Sequence, residues 1–296
     1  MEQLPPRIRL IAIDIDGTLL TPQREITART KAAIKAAQEQ GIIVTLATAR
    51  RYYNTKPIAD ELGLAIPLIL CDGGMTVQHP TGSLLHTHTL PAEIGQQAID
   101  IMLRYEVQPV SQTLNAMREE TRTGPAKYDN QWVAAYFASF PSQLIRLPFH
   151  QLCTGQADPL RVVAFTSEER AHAMAPEIAN LPCSWNITWS GSYQSAEVAV
   201  MPQGCTKASG VATLAHSLDI PLENVMAIGD NNNDIEMVEA VGWGVAMGHA
   251  VPGLKAVACA LTTSNSEEGV ALAIERYALF PERTADSNSF KRATCL

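Results

Sequence analysis

Short apolar runs alternate with helix-like periodicity at both ends of the chain, and the middle breaks that rhythm. Ile8–Ile13 is a largely apolar run, interrupted only by Arg9 and ending on Asp14, as expected for a strand covered on both faces. Thr27–Gln40 places Thr30, Ala33, Ile34 and Ala37 on one helical face, with Gly41 as its C-terminal cap. The pattern then predicts a strand at Ile42–Ala47, a helix from Asn54 to Leu62, a strand at Pro67–Leu70 and a turn at Asp72-Gly73-Gly74. This succession of strands and helices opens a doubly wound sheet.

From Leu84 onward the pattern is less regular. A strand is predicted at Leu85–Leu90, then a helix whose face carries Ile94, Ala98, Ile101, Met102 and Tyr105, then an extended stretch at Val107–Thr113. A passage with Gly124, Pro125, Pro141 and Pro148 reads as loop, followed by a strand at Arg161–Thr166, a helix at Ser167–Leu181, and strands at Ser184–Trp189 and Glu197–Met201. After Pro202 the doubly wound rhythm returns. It comprises a helix carrying Val211, Leu214, Ala215 and Leu218, a strand at Val225–Ile228, a helix at Ile235–Val241, and strands at Trp243–Met247 and Ala256–Thr262. A last helix, Ser264–Phe280, opens with the capping-box signature Ser264-x-x-Glu267.

The fold class expected is therefore α/β: a doubly wound, Rossmann-like parallel-sheet core interrupted by an inserted α/β cap with an antiparallel sheet. Residues 1–81 and 190–281 are assigned to the core, 82–189 to the cap, and 282–296 to a polar, aperiodic tail expected to be disordered.

Composition narrows the class. In 296 residues, 46% hydrophobic and 18% charged content suits a globular protein with a sizeable core. The net charge of −8 argues against partners held by long-range charge, so neither nucleic acid nor a membrane surface is expected. No apolar stretch reaches the roughly 20 residues that span a bilayer. The N-terminus runs straight into acidic residues, so neither a signal peptide nor an anchor is read there, and a cytoplasmic location is expected. The six scattered cysteines, without CxxC, read as reduced thiols.

The chemistry sits at strand ends. Asp14-Ile15-Asp16-Gly17-Thr18 closes the first strand, where period-2 geometry puts both carboxylates on one side and where open α/β sheets bind ligands. Two close carboxylates repel unless a cation or shared proton relieves them. This arrangement suits a divalent metal, Asp14 as nucleophile and Asp16 as proton donor. Asp230 and Asp234, in Gly229-Asp230-Asn231-Asn232-Asn233-Asp234, follow the strand Val225–Ile228. Together the two acidic strand ends form an oxygen-rich site for Mg²⁺; zinc would ask for His or Cys spacing not found here.

DIDGTLL at Asp14, TLATAR with Thr48-Ala49-Arg50, Lys207 opening a helix, GDNNNDIEM at Asp230 and GVAMG at Gly244 together resemble the haloacid dehalogenase superfamily phosphatases of the Cof-type subgroup, which carry a large α/β cap. The resemblance implies a HAD-like core and an aspartyl-phosphate intermediate on Asp14, with Asp16 as general acid and then general base. It further implies Mg²⁺ held by the Asp14 carboxylate, the Asp16 backbone carbonyl and Asp230. Thr48, Lys207 and Asn233 would hold phosphoryl oxygens, with Arg50 a further candidate, and Asp234 would orient Lys207 or a metal-bound water rather than bind metal itself. Small phosphorylated metabolites, sugar phosphates by default, are the implied partners. Phosphomutase activity and a catalytically silent phospho-ligand module are the alternatives.

The chain departs from the family pattern at Ala49, Asp72 and His249, and Asp72 matters most because it adds a carboxylate near the cleft. His86 and His88 read as a hydrogen-bonded or solvent-facing pair rather than a metal site. Cys71 reads as a small buried residue. Trp132, Tyr136, Phe137 and Phe140 read as packing within the cap, and hinges are expected at Pro80-Thr81-Gly82 and Ser190-Gly191-Ser192.

Overall fold

A computed structural model describes residues 7–279 apart from 116–117, 140–142 and 192. The contacts divide the chain into two units, Met1–Leu85 with Lys207–Leu296, and His86–Thr206. The proposed tail and Phe140 lie outside the described residues.

The first unit is built on a five-stranded sheet in the order Ala260–Leu261, Trp243–Ala246, Val225–Gly229, Leu10–Ile13, Ile43–Leu46, every pair parallel. Leu10–Ile13 is wholly buried, which is why its sequence is apolar without alternation. Ile13 lies opposite Ile228, and the Asp14 amide donates to the Ile228 carbonyl at 3.0 Å. The strands leading into Asp14 and Asp230 therefore run side by side and end level. The helix Ala28–Glu39 is capped by Thr27, which accepts from the Thr30 amide, and buries the predicted face of Thr30, Ala33, Ile34 and Ala37. Pro67–Leu70 pairs antiparallel with Met75–Gln78 and touches the main sheet through a parallel bridge from Ala47 to Ile69.

Two expectations fail near the C-terminus. Instead of a strand from Ala256, the chain forms a helix at Pro252–Val257, opened by Pro252 and anchored by buried Leu254, and only Ala260–Leu261 joins the sheet. The capping box of Ser264 and Glu267 forms, but it closes a single turn, Asn265–Glu267. Glu268 then adopts φ +61°, and the longer helix starts afresh at Gly269.

The second unit contains a six-stranded sheet, ordered Cys183–Ser190, Ser195–Pro202, Arg161–Thr166, Pro109–Asn115, Arg118–Thr123, Gln143–Arg146. It is antiparallel except for the last pair, which is parallel. Helices Ala92–Arg104 and Glu168–Ile178 bury Ala98, Ile99, Met102, Ala171, Met174 and Ile178 with Val162, Ala164, Val198 and Val200 of the sheet. A further helix, Gln131–Ser139, packs Val133 and Tyr136 with Val110, Val163, Phe165 and Ala199, and the rings of Tyr136 and Phe165 stack at 4.9 Å. The expected core role of these aromatic residues is met at Tyr136.

The unit's C-terminal limit differs from the Trp189 boundary expected. Ser195–Pro202 pairs on one side with Cys183–Ser190 and on the other with Arg161–Thr166, so Ser190-Gly191 lies at the end of a hairpin within this sheet and not between units. Cys71, Cys153, Cys183 and Cys205 are free thiols, as expected. No helix among the described residues is long and apolar enough to cross a membrane.

Candidate active site

All the residues singled out for catalysis belong to the first unit. The chain leaves the strand Leu10–Ile13 at Asp14 and turns at Gly17, whose φ is +84°. A Cβ at Gly17 would lie 2.4 Å from Asp230 Oδ2, so both the conformation and the approach of the two acidic loops require glycine.

Lys207, the first residue of the helix Lys207–Ser217, is 1% exposed. Its Nζ donates to Asp14 Oδ1 at 2.6 Å and to Asp234 Oδ1 at 2.7 Å. Burial alone would lower the lysine pKa, but Asp14 and Asp234 outweigh it and hold the ammonium charged. Asp234 Oδ2 accepts the amides of Asp230 and Asn231, both at 3.0 Å. Both oxygens of Asp234 are thus engaged, one by Lys207 and the other by the two amides.

The remaining carboxylates are crowded. Asp14, Asp230 and Asp234 each offer a ligand oxygen within 4.8 Å of the others. Burial, with Asp234 and Asp230 beside it, pushes the Asp14 pKa well above the usual carboxylate range despite Lys207. Burial and Asp234 push Asp230 up to about 7. Hard oxygen donors that resist ionising together are what a Mg²⁺ ion would relieve, so the residues present fit that ion.

Asp16 has a different environment. Its side chain is half exposed and is gripped by Arg50, Nε to Oδ2 and Nη2 to Oδ1, each at 2.6 Å. Surrounding protein would raise its pKa, but the hydrogen bonds and charge of Arg50 lower it. Arg50, a candidate phosphate ligand from sequence, is thus placed on the predicted general acid. Thr48 is buried, and its Oγ1 accepts the Arg50 amide at 3.1 Å. Asn233 donates through Nδ2 to Asp72 Oδ1 at 2.9 Å.

Two contacts were not anticipated. Thr18 Oγ1 donates to Asp230 Oδ1 at 2.7 Å, tying the first acidic loop to the second. His249 Nε2 lies 3.8 Å from Asp230 Oδ2, with its pKa lowered by burial. Thr18 directly follows the Asp-x-Asp-Gly run, and His249 directly follows Gly244–Gly248, where it departs from the family pattern; neither position by itself points to Asp230.

Comparison with known proteins agrees with the architecture. The family model for haloacid dehalogenase-like hydrolases matches residues 11–274. Among curated relatives, the HMP-PP phosphatase of Serratia proteamaculans (strain 568) is 31% identical over 250 residues, covering 84% of this chain and 87% of that protein. The pyridoxal phosphate phosphatase YbhA of Escherichia coli (strain K12) is 27% identical over 273 residues, covering 89% and 96%. Among solved structures, a haloacid dehalogenase-like hydrolase from Bacteroides thetaiotaomicron superposes with TM-score 0.72 at 26% identity, covering 91% of this chain and 99% of that one. The chain belongs to the haloacid dehalogenase-like hydrolases, in their Cof-type branch.

Proposed function

We propose that this chain is a Mg²⁺-dependent phosphomonoester hydrolase acting on small phosphorylated metabolites through an aspartyl-phosphate on Asp14. The observation carrying the reading is the buried ammonium of Lys207 held between Asp14 and Asp234, at the level strand ends that also present Asp230. A buried lysine costs free energy unless paired. Here it gives positive charge to a place where phosphoryl transfer needs it, since that reaction asks a protein chiefly for positioning and charge around the equatorial oxygens. The relatives act on phosphorylated metabolites of this size.

In this reading a carboxylate oxygen of Asp14 attacks phosphorus while the ester P–O bond breaks and Asp16 gives its proton to the departing alkoxide. Asp16 then takes a proton from water as the water oxygen attacks phosphorus, which frees inorganic phosphate and regenerates Asp14. Lys207, Thr48 and Asn233 hold phosphoryl oxygens, and Lys207 fixes the orientation of Asp14. Arg50 serves Asp16: its paired hydrogen bonds set the carboxylate at the rim of the site, and it must share or release it when Asp16 carries a proton. Mg²⁺ would be held by Asp14, the Asp16 backbone carbonyl and Asp230, and supplies positive charge that lets an anionic phosphate meet anionic carboxylates.

The His86–Thr206 unit is proposed to choose the substrate. Arg118, Lys127 and Trp132 are its candidates. Arg122 is already committed to Glu120 and the Ala157 carbonyl, and so serves as a support.

The test is phosphate release from a panel of phosphorylated metabolites. Release is expected with Mg²⁺, should fall to background on chelation and return when Mg²⁺ is restored. Full activity without divalent metal would refute the metal site, and transfer to a second sugar instead of water would make the protein a mutase.

A further inference from the structure

After the strand Pro67–Leu70 the chain turns through three successive residues with positive φ, Cys71 (+52°), Asp72 (+53°) and Gly73 (+93°). The turn is fastened to the site, because the Asp72 amide donates to the Thr48 carbonyl at 3.1 Å. The Asp72 side chain is 1% exposed, accepts from Asn233, and adds its negative charge to those acting on Lys207.

Left-handed backbone favours asparagine and aspartate alike, and an asparagine amide would still offer Asn233 an oxygen acceptor. What aspartate alone brings is a negative charge beside the residues proposed to hold a phosphate dianion. Asp72 adds its carboxylate to those of Asp14, Asp16, Asp230 and Asp234 around Lys207 and Arg50.

We propose that Asp72 sets the site's affinity for the phosphoryl group, weakening the hold on inorganic phosphate and so favouring product release. This rests on the phosphatase reading. Asp72 acts through Asn233 and through the field at Lys207, as a positioning and affinity-setting residue.

The experiment compares the full-length protein with Asp72→Asn, and with Asp72→Gly as a second neutral variant that tolerates the same backbone. Inorganic phosphate binding is measured by titration calorimetry in saturating Mg²⁺, alongside KM and kcat for a small phosphate ester. Removal of a like charge beside the phosphate-holding residues predicts phosphate bound more tightly by Asp72→Asn, by about tenfold or more. KM should fall with it, and kcat should not rise. Asp72→Gly should move phosphate affinity in the same direction. Phosphate affinity unchanged or weaker in a folded Asp72→Asn protein, with the wild type active, would overturn the inference and leave the phosphatase reading standing. A wild type that neither hydrolyses esters nor binds phosphate would overturn both.

Discussion

Asp14→Asn is expected to abolish turnover, by about 10⁴-fold or more, while the protein remains folded. The amide is nearly isosteric with the carboxylate but is a poor nucleophile toward phosphorus. Its oxygen can still accept from Lys207, whose second partner, Asp234, is untouched. Stability should not suffer. The Asp14 pKa is raised in the folded state by burial, Asp234 and Asp230, so the ionised carboxylate opposes folding at neutral pH and its removal relieves that cost. Steady-state kinetics together with a melting curve check both halves. Substantial residual turnover with normal Mg²⁺ dependence would remove Asp14 from the nucleophile's role.

Lys207→Ala should damage fold and chemistry together. It leaves Asp14 and Asp234 buried without their cation, a situation that costs about 3–5 kcal/mol, against a typical total stability of about 5–15 kcal/mol. It also removes a charge meeting the phosphoryl group, for which a loss of about 10³-fold in kcat/KM is expected. Lys207→Gln keeps one donor and most of the volume, and so separates the effects: this variant should fold better than the alanine and stay nearly as inactive. Denaturant titration and kinetics on the two proteins provide the check, and an unchanged kcat/KM in either would place Lys207 outside the site.

The parallel core was legible because its strands are buried on both faces and so appear as apolar runs, as at Leu10–Ile13 and Val225–Gly229. The acidic loops could be placed because each follows such a run directly. In the second unit that signal failed where the sheet itself is polar. Arg118–Thr123 has no hydrophobic residue, yet Glu120, Thr121, Arg122 and Thr123 are buried. Arg122 bonds Glu120 at 3.2 Å, and Thr123 Oγ1 donates to the Pro109 carbonyl at 2.8 Å. Burial sustained by hydrogen bonds leaves no hydrophobic trace, so this passage reads as loop, and within it only the helical spacing of Trp132, Tyr136 and Phe137 points to the helix Gln131–Ser139.

The same limit applies inside the site. Residue types and order pointed to Asp14, Asp16, Lys207 and Asp230, but not to which side chain grips which. Asn233 meets Asp72 across 161 positions of sequence, and Arg50 meets Asp16 across 34. These partners are set by neighbouring strand ends and by the left-handed turn at Asp72, neither of which has a local sequence period.

The central claim is that phosphorus becomes bonded to Asp14. The direct measurement is rapid acid quench of the Mg²⁺-loaded protein turning over a phosphate ester, followed by mass analysis of the peptide containing Asp14. One added phosphoryl group on Asp14, appearing before free phosphate reaches its steady rate and absent from Asp14→Asn, is the result predicted. Burst-free release of phosphate with that peptide unmodified at every quench time, or the group found on another residue, would contradict it.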